Sequence, residues 1–332
     1  MQAGLNQRIY LQDVAVRDGF QIEPRFIPTA EKIGLINALG RTGLAKIEVT
    51  SFTSPKAIPA LADAEEVMLG IERVPGVVYT VLVPNMRGAE RAMGCRADEF
   101  NLVMSVSETH NLTNLRMTRE QSFAQLAEVI EFSRSSGVSL NVSLSCSFGC
   151  PMEGDIPADE VFHWAGRFIE MGVRGITLCD TTGMAYPTQV SDICRSFKQR
   201  WENTELTLHF HNTRGMGLAN ALSAVGAGVD RFDASLGGLG GCPYAPGATG
   251  NICTEDLAHM LELMGYDTAV DTEALIACAR QLPAMLGHEI PGQVAKAGKV
   301  SDLHARPDWF AEVAQRAHEK AEKDRQRIAA NR

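Results

Sequence analysis

Residues 206–251 read LTLHFHNTRGMGLANALSAVGAGVDRFDASLGGLGGCPYAPGATGN. Two β-rich runs, 206–211 and 231–235, frame this stretch. Successive strand side chains point to opposite faces, so the first run sets His209 and His211 on one side, about 7 Å apart along the strand. Two imidazoles so placed can converge on one ion, or serve as interior groups hydrogen-bonded to their neighbours. The segment after the second run is too rich in Gly and Pro for a helix or strand, and it holds a single Cys242 among glycines. That is the composition of a loop carrying one reactive side chain, although a lone Cys is more often a small buried hydrophobe.

Working outward, further β-rich runs occur at 9–16, 46–51, 77–83, 99–106, 139–146 and 175–179, with amphipathic segments at 29–39, 58–71, 118–136, 157–171 and 187–201 between them. Eight strands alternating with helices over about 255 residues predict a (β/α)₈ TIM barrel. A doubly wound open sheet is the alternative. It is disfavoured because no Gly-rich dinucleotide fingerprint follows the first strand and nothing divides the chain into two α/β halves. The barrel is expected over 1–265. Residues 266–332 are expected to be a C-terminal helical extension packed on it, comprising a helix at 271–286 and a charge-rich one from 308 that Trp309 and Phe310 dock on the barrel or on another subunit.

The chain has 332 residues, 45% of them apolar, and a net charge of -9, the balance of a globular enzyme without the basic footprint that nucleic acid or an anionic membrane requires. Eight cysteines are scattered through a large chain without a CxxC pair, which favours reduced thiols over a disulfide scaffold or structural zinc. No leader-like apolar segment opens the sequence and no stretch approaches the roughly 18 apolar residues of a membrane span. A cytoplasmic location is expected, without membrane or nucleic-acid partners.

In a barrel, function collects at the C-terminal ends of strands. Arg17-Asp18-Gly19 falls at the end of the first expected strand, Glu48 and Thr50-Ser51 on the second, Asp180-Thr181-Thr182-Gly183 after the sixth and His209-Phe210-His211-Asn212 on the seventh. The eighth leads into the Cys242 loop and Asn251. Any one of these groups suits a helix cap or turn; their joint placement at one rim points to a shared site. Because strands one and eight are neighbours in a closed barrel, Asp18, His209, His211 and Asn251 can surround one divalent ion with open positions left over. That mixed nitrogen and oxygen set suits Mg²⁺ or Mn²⁺, with Zn²⁺ as a further candidate. Such an ion can chelate a hydroxyl and a carbonyl together and stabilise an enolate, with the permanently charged Arg17 beside it.

RDGFQIE at 17, IEVTSFTSPK at 47, LCDTTG at 178, HFHNTRG at 209 and GGLGGCPYAPGATGNICTEDL at 237 resemble the 3-hydroxy-3-methylglutaryl-CoA lyases of the DRE-TIM metallolyase superfamily. The likeness runs from about Val14 to Gly265, and the Cys-loop segment is its specific part. The resemblance implies that Asp18, His209, His211 and Asn251 hold the cation and that Arg17 steadies the enolate of the departing acetyl-CoA. It implies that Glu48 organises the site around Arg17, that Asp180 contributes to acid/base chemistry or positioning, and that Cys242 takes part in proton transfer. The implied reaction is a retro-Claisen cleavage of the acyl-CoA to acetoacetate and acetyl-CoA, closing leucine degradation, in a homodimer.

Two departures bear on the substrate. Ile22 and Pro24 stand where the family pattern has Asn and Lys, with Arg25 next in line, and HNT stands where relatives often have HDT. The metal ligands are untouched, so the expected alternatives keep the chemistry. One is a lyase for another branched 3-hydroxyacyl-CoA. The other is a Claisen-type acyltransferase or synthase of the same superfamily.

Overall fold

The computed structural model describes residues 7–241 and 250–330. Eight strands close into a parallel barrel in sequence order: β1 Tyr10–Asp13, β2 Lys46–Ser51, β3 Val78–Leu82, β4 Glu99–Ser105, β5 Ser139–Ser145, β6 Gly175–Asp180, β7 Glu205–Phe210 and β8 Arg231–Ala234. The ring is sealed between β1 and β8, where Tyr10 to Asp13 pair in register with Arg231 to Ala234. The TIM barrel expected from the alternation of strands and helices is therefore the fold.

The strands are alternating rather than uniformly apolar, and the alternation shows where the two environments lie. On β4, Phe100, Leu102 and Met104 are fully buried against the surrounding helices. The residues between them point into the barrel, and there Asn101 donates to Glu48 Oε1 at 2.8 Å and accepts from Asn141 and Ser143. Lys46 Nζ meets Glu99 Oε1 at 2.5 Å deeper in the same interior. The hydrophobic core is thus the layer between strands and helices, while the barrel's lumen is a polar network whose members satisfy one another.

Local differences from the sequence expectation have identifiable causes. The first strand stops at Asp13 instead of 16, and Ala15–Gly19 form a π-helical turn in which the N–H groups of Arg17, Asp18 and Gly19 all point at the Val14 carbonyl. Asp13 holds that turn: its carboxylate accepts from Ala15 N, Leu236 N and Thr254 Oγ1. The segment expected as one helix at 58–71 is a short 3₁₀ turn, Pro59–Leu61, followed by the helix Ala64–Gly70. The stretch at 271–286 is two helices, Thr272–Ala279 and Leu282–Leu286. Pro283 opens the second because its missing N–H and its ring forbid continuation of the first. A helix that the pattern reading passed over, Glu108–Leu115, is capped by Ser107 Oγ accepting from His110 N at 3.0 Å.

The described residues belong to two compact units, Met1–Ala297 and Gly298–Arg332. The second consists mainly of the helix Phe310–Ala330, with a Glu312 to Arg316 ion pair along its length. No helix among the described residues is long and apolar enough to cross a membrane.

Candidate active site

Three segments far apart in sequence meet at the C-terminal rim. The π-helical turn after β1 presents Arg17 and Asp18; β7 and the residue after it present His209 and His211; and residues 250–252 run back against 210–212. There Asn212 N donates to Gly250 O and Ile252 N to Phe210 O, both at 2.9 Å, so that His211 and Asn251 pair directly. One ligand atom each from Asp18, His209 and His211 lies within 4.8 Å of the others, and the two imidazole centroids are 5.3 Å apart.

Asn251 completes this group. Its Nδ2 donates to Asp18 Oδ2 at 2.7 Å and to Leu239 O at 3.0 Å. Its Oδ1 is buried without a hydrogen-bond partner. An orphaned buried carbonyl oxygen costs about 1–3 kcal/mol, and its place beside a carboxylate and two imidazoles is what a cation would satisfy. The donor set, two oxygens and two nitrogens, fits a divalent ion. Packing is tight around it: Gly240 has φ +106°, and a Cβ there would lie 2.6 Å from Asn251 Nδ2 and 3.1 Å from Asp18 Oδ2.

The surrounding electrostatics hold the ligands in usable states. Burial pushes Asp18 upward, but Arg17, His209, His211 and the Asn251 hydrogen bond outweigh it and bring its pKa down to about 2. Arg17 is fixed on both sides, Nε to Glu48 Oε2 at 2.5 Å and Nη1 to Asp18 Oδ1 at 2.6 Å. Burial opposes its charge, and the two carboxylates more than restore it, raising its pKa. The residues expected from sequence as Arg17, Glu48, Asp18, His209, His211 and Asn251 are thereby brought together.

Asp180 stands slightly apart. Its Oδ1 accepts from Met184 N at 2.7 Å and Ala185 N at 3.1 Å, whereas Oδ2 is buried without a partner. Burial raises its pKa to about 6 against those bonds and the attraction of His209 and Arg214. Cys242 lies outside the described residues.

Two further polar groups, not singled out in the sequence, support the site. Asp233 is in register with His209 across β7 and β8, and its Oδ2 is 3.2 Å from His209 Nδ1. An ionised carboxylate only accepts, so Nδ1 carries the proton and Nε2 is left for an ion. Asn101 steadies Glu48 from β4. Neither has a local motif; the signal was only that each falls at an inward position of its strand.

A cleft of about 880 Å³ opens over these groups. Arg17, Asp18, His209 and His211 form part of its floor, and Gln21, Ile22, Ala57, Pro59, His110 and Asn114 line its walls. That volume accommodates an extended cofactor-sized ligand.

Comparison with known proteins places this geometry. The HMGL-like family model matches residues 8–282. A hydroxymethylglutaryl-CoA lyase of Bacillus subtilis is 42% identical over 287 residues, covering 86% of this chain and 96% of that one. An (R)-citramalyl-CoA lyase of Chloroflexus aurantiacus is 38% identical over 304 residues, covering 89% and 96%. The solved structure of an HMG-CoA lyase from A. baumannii in complex with coenzyme A and 3-methylmalate superposes with a TM-score of 0.88 at 51% identity, covering 92% of this chain and all of that one.

Proposed function

The chain belongs to the HMGL-like family, and from that membership and the rim geometry we propose that it is a divalent-metal-dependent carbon–carbon lyase cleaving 3-hydroxy-3-methylglutaryl-CoA to acetoacetate and acetyl-CoA, the last step of leucine degradation. The observation that carries the metal dependence is the orphaned Asn251 Oδ1 beside Asp18, His209 and His211.

Asp18, His209, His211 and Asn251 are the residues that would hold the cation, with Mg²⁺ or Mn²⁺ ahead of Zn²⁺. When bound there, a divalent cation supplies Lewis acidity to the substrate's tertiary hydroxyl and neighbouring carbonyl oxygens. Arg17, immobilised by Glu48 and Asp18, keeps a full positive charge at the cleft floor, where negative charge grows on the thioester oxygen as the carbon–carbon bond breaks. Glu48 acts through Arg17 and is itself aimed by Asn101. Asp180, with a pKa near 6 and one free carboxylate oxygen, is suited to accept and return a proton at Oδ2 near neutral pH. Cys242 is assigned the proton delivered to the enolate carbon, on the strength of the resemblance. A cytoplasmic location is the setting this reading carries, from the scattered cysteines of the sequence. A homodimer is the assembly the resemblance implies.

A second reading, the same chemistry on another branched 3-hydroxyacyl-CoA, is favoured by one specific observation: Ile22, the departure from the family pattern, is 42% exposed and lines the cleft wall. The deciding experiment is a coupled assay for acetyl-CoA release with purified protein, with chelator and with added Mg²⁺ or Mn²⁺. Fast turnover of 3-hydroxy-3-methylglutaryl-CoA that is abolished by chelation and restored by metal supports the first reading. Metal-restored turnover of a different acyl-CoA at higher kcat/KM replaces it with the second.

A further inference from the structure

The helix Phe310–Ala330 takes no part in the chemistry assigned above, and it lies outside residues 8–282, the part of the chain that the family model matches. It is 21 residues long and none of its residues is buried. In folded proteins most helical stability comes from packing an amphipathic face. This helix has such a face. Phe310 and Ile328 are five turns apart and therefore lie on one line along it. Ala314, Ala317 and Ala321 fall within about 40° of that line and Val313 within about 60°, while Glu312, Glu319 and Gln326 occupy the opposite side. Phe310, Val313 and Ile328 are 40%, 50% and 58% exposed. The apolar stripe stands open.

We propose that a second copy of this chain covers the stripe, the two helices pairing antiparallel. The charge along the helix selects both the occupant and the direction. As far as Glu319 it is net acidic, with Glu312 and Glu319 against Arg316. Beyond that point it is net basic, with Lys320, Lys323, Arg325 and Arg327 outnumbering Glu322 and Asp324. Each half is thus complementary to the other half of an identical helix. Antiparallel pairing sets acidic against basic and opposes the two helix dipoles, whereas parallel pairing sets like halves and like dipole ends side by side.

The side chains fit the same register. An antiparallel pair centred at the level of Glu319 puts Phe310 of one copy against Ile328 of the other at both ends, and Ala317 against Ala321 in the middle. The large side chains close the ends, and the small ones let the backbones approach between them. Asp324, at the edge of the stripe, comes within two residues of the level of Arg316 on the same side of the second copy. This contact is supplied by residues outside the family match, and it stands whichever acyl-CoA the barrel cleaves and whether or not the barrels also pair.

The test is crosslinking of the full chain with a short bismaleimide, read by peptide mass spectrometry. Phe310→Cys protein is mixed with Ile328→Cys protein. The expected product is a link between position 310 of one chain and position 328 of the other, in a pair whose far end keeps the native Phe310 and Ile328. Either variant alone should give little self-link, because like positions lie about 27 Å apart along the pair. Adding Ala317→Glu and Ala321→Glu, both at exposed positions, to each protein puts four carboxylates in the seam. This should lower the yield of the link at least about tenfold and leave the thermal unfolding midpoint unchanged. The proposal is overturned if self-links form as readily as the mixed link, the result of parallel or random contact. It is also overturned if no link between 310 and 328 forms, the result if the helix stands alone or packs on a barrel, or if the glutamates leave the yield unchanged.

Discussion

Asn251 and Asp18 are 233 positions apart, and the amide of one donates to the carboxylate of the other at 2.7 Å. The oxygen of the same amide is buried and unpartnered, while Asp18 is grouped with His209 and His211. The hydrogen bond therefore orients two of the assigned ligands at once. Asn251→Ala removes one oxygen donor and frees Asp18 to turn further toward Arg17. Mn²⁺ affinity, measured by calorimetry, is expected to fall at least about tenfold, with the thermal unfolding midpoint of the metal-free protein changing little. Unchanged Mn²⁺ binding would remove Asn251 from the ligand set.

Asp233 acts on the same centre through His209. Its carboxylate fixes the proton on Nδ1 and the ring's orientation, and Asn in its place can present an amide N–H to that nitrogen instead. Asp233→Asn is expected to weaken Mn²⁺ binding about 10–100-fold. An affinity equal to wild type would mean that packing alone orients the His209 ring.

How much of this was legible before the structure depends on the range of the interactions involved. The period-two alternation of 206–211 carries both the barrel's polar-in, apolar-out arrangement and the common face of His209 and His211, because strand geometry is local. The end of β1 was not legible. Asp13 stops the strand by accepting from Leu236 and Thr254, residues more than 200 positions away. Asp233 and Asn101 were passed over for a similar reason: a polar residue on a strand gains its role only from the register with the next strand. The helix Glu108–Leu115 did carry a local signal, its Ser107 cap, but its short apolar pattern hid it.

Gly240 is required by both space and backbone angle. At φ +106° an L side chain is strained, and the added carbon would press on Asn251 Nδ2 and Asp18 Oδ2. Gly240→Ala is expected to leave the barrel folded, as judged by far-UV circular dichroism, and to lower Mn²⁺ affinity by an amount comparable to Asn251→Ala. Wild-type affinity in a folded variant would show that the loop can retreat without moving the ligands.

Ile22 puts an apolar side chain on the cleft wall where the family resemblance leads one to expect an Asn. Ile22→Asn is expected to shift the ratio of kcat/KM between 3-hydroxy-3-methylglutaryl-CoA and other branched 3-hydroxyacyl-CoA esters by about tenfold, with kcat for the preferred substrate held within a few-fold. Equal ratios in both proteins across the substrate panel would locate acyl selectivity elsewhere in the cleft.

Glu255 makes stability depend on pH in a direction opposite to that of Asp18. It is fully buried under Gly237, to whose N–H its Oε2 accepts at 3.0 Å, and burial raises its pKa from 4.5 to about 7 against the Cys253 and Gly237 hydrogen bonds. The folded protein therefore holds a proton that the unfolded chain releases between pH 4.5 and 7. Across that window stability falls as pH rises, by up to about 3 kcal/mol from this residue, and the contribution is flat above it. Asp13 and Asp180, both raised by burial to about 6, add slopes of the same sign. Glu255→Gln keeps an acceptor for Gly237 and cannot titrate. Urea midpoints taken from pH 4.5 to 7.5 are expected to decline less steeply in the variant than in wild type, the difference vanishing toward pH 4.5 and greatest above pH 7. Parallel declines would mean that Glu255 is ionised in the folded protein throughout, with its charge met by a group that burial has not excluded.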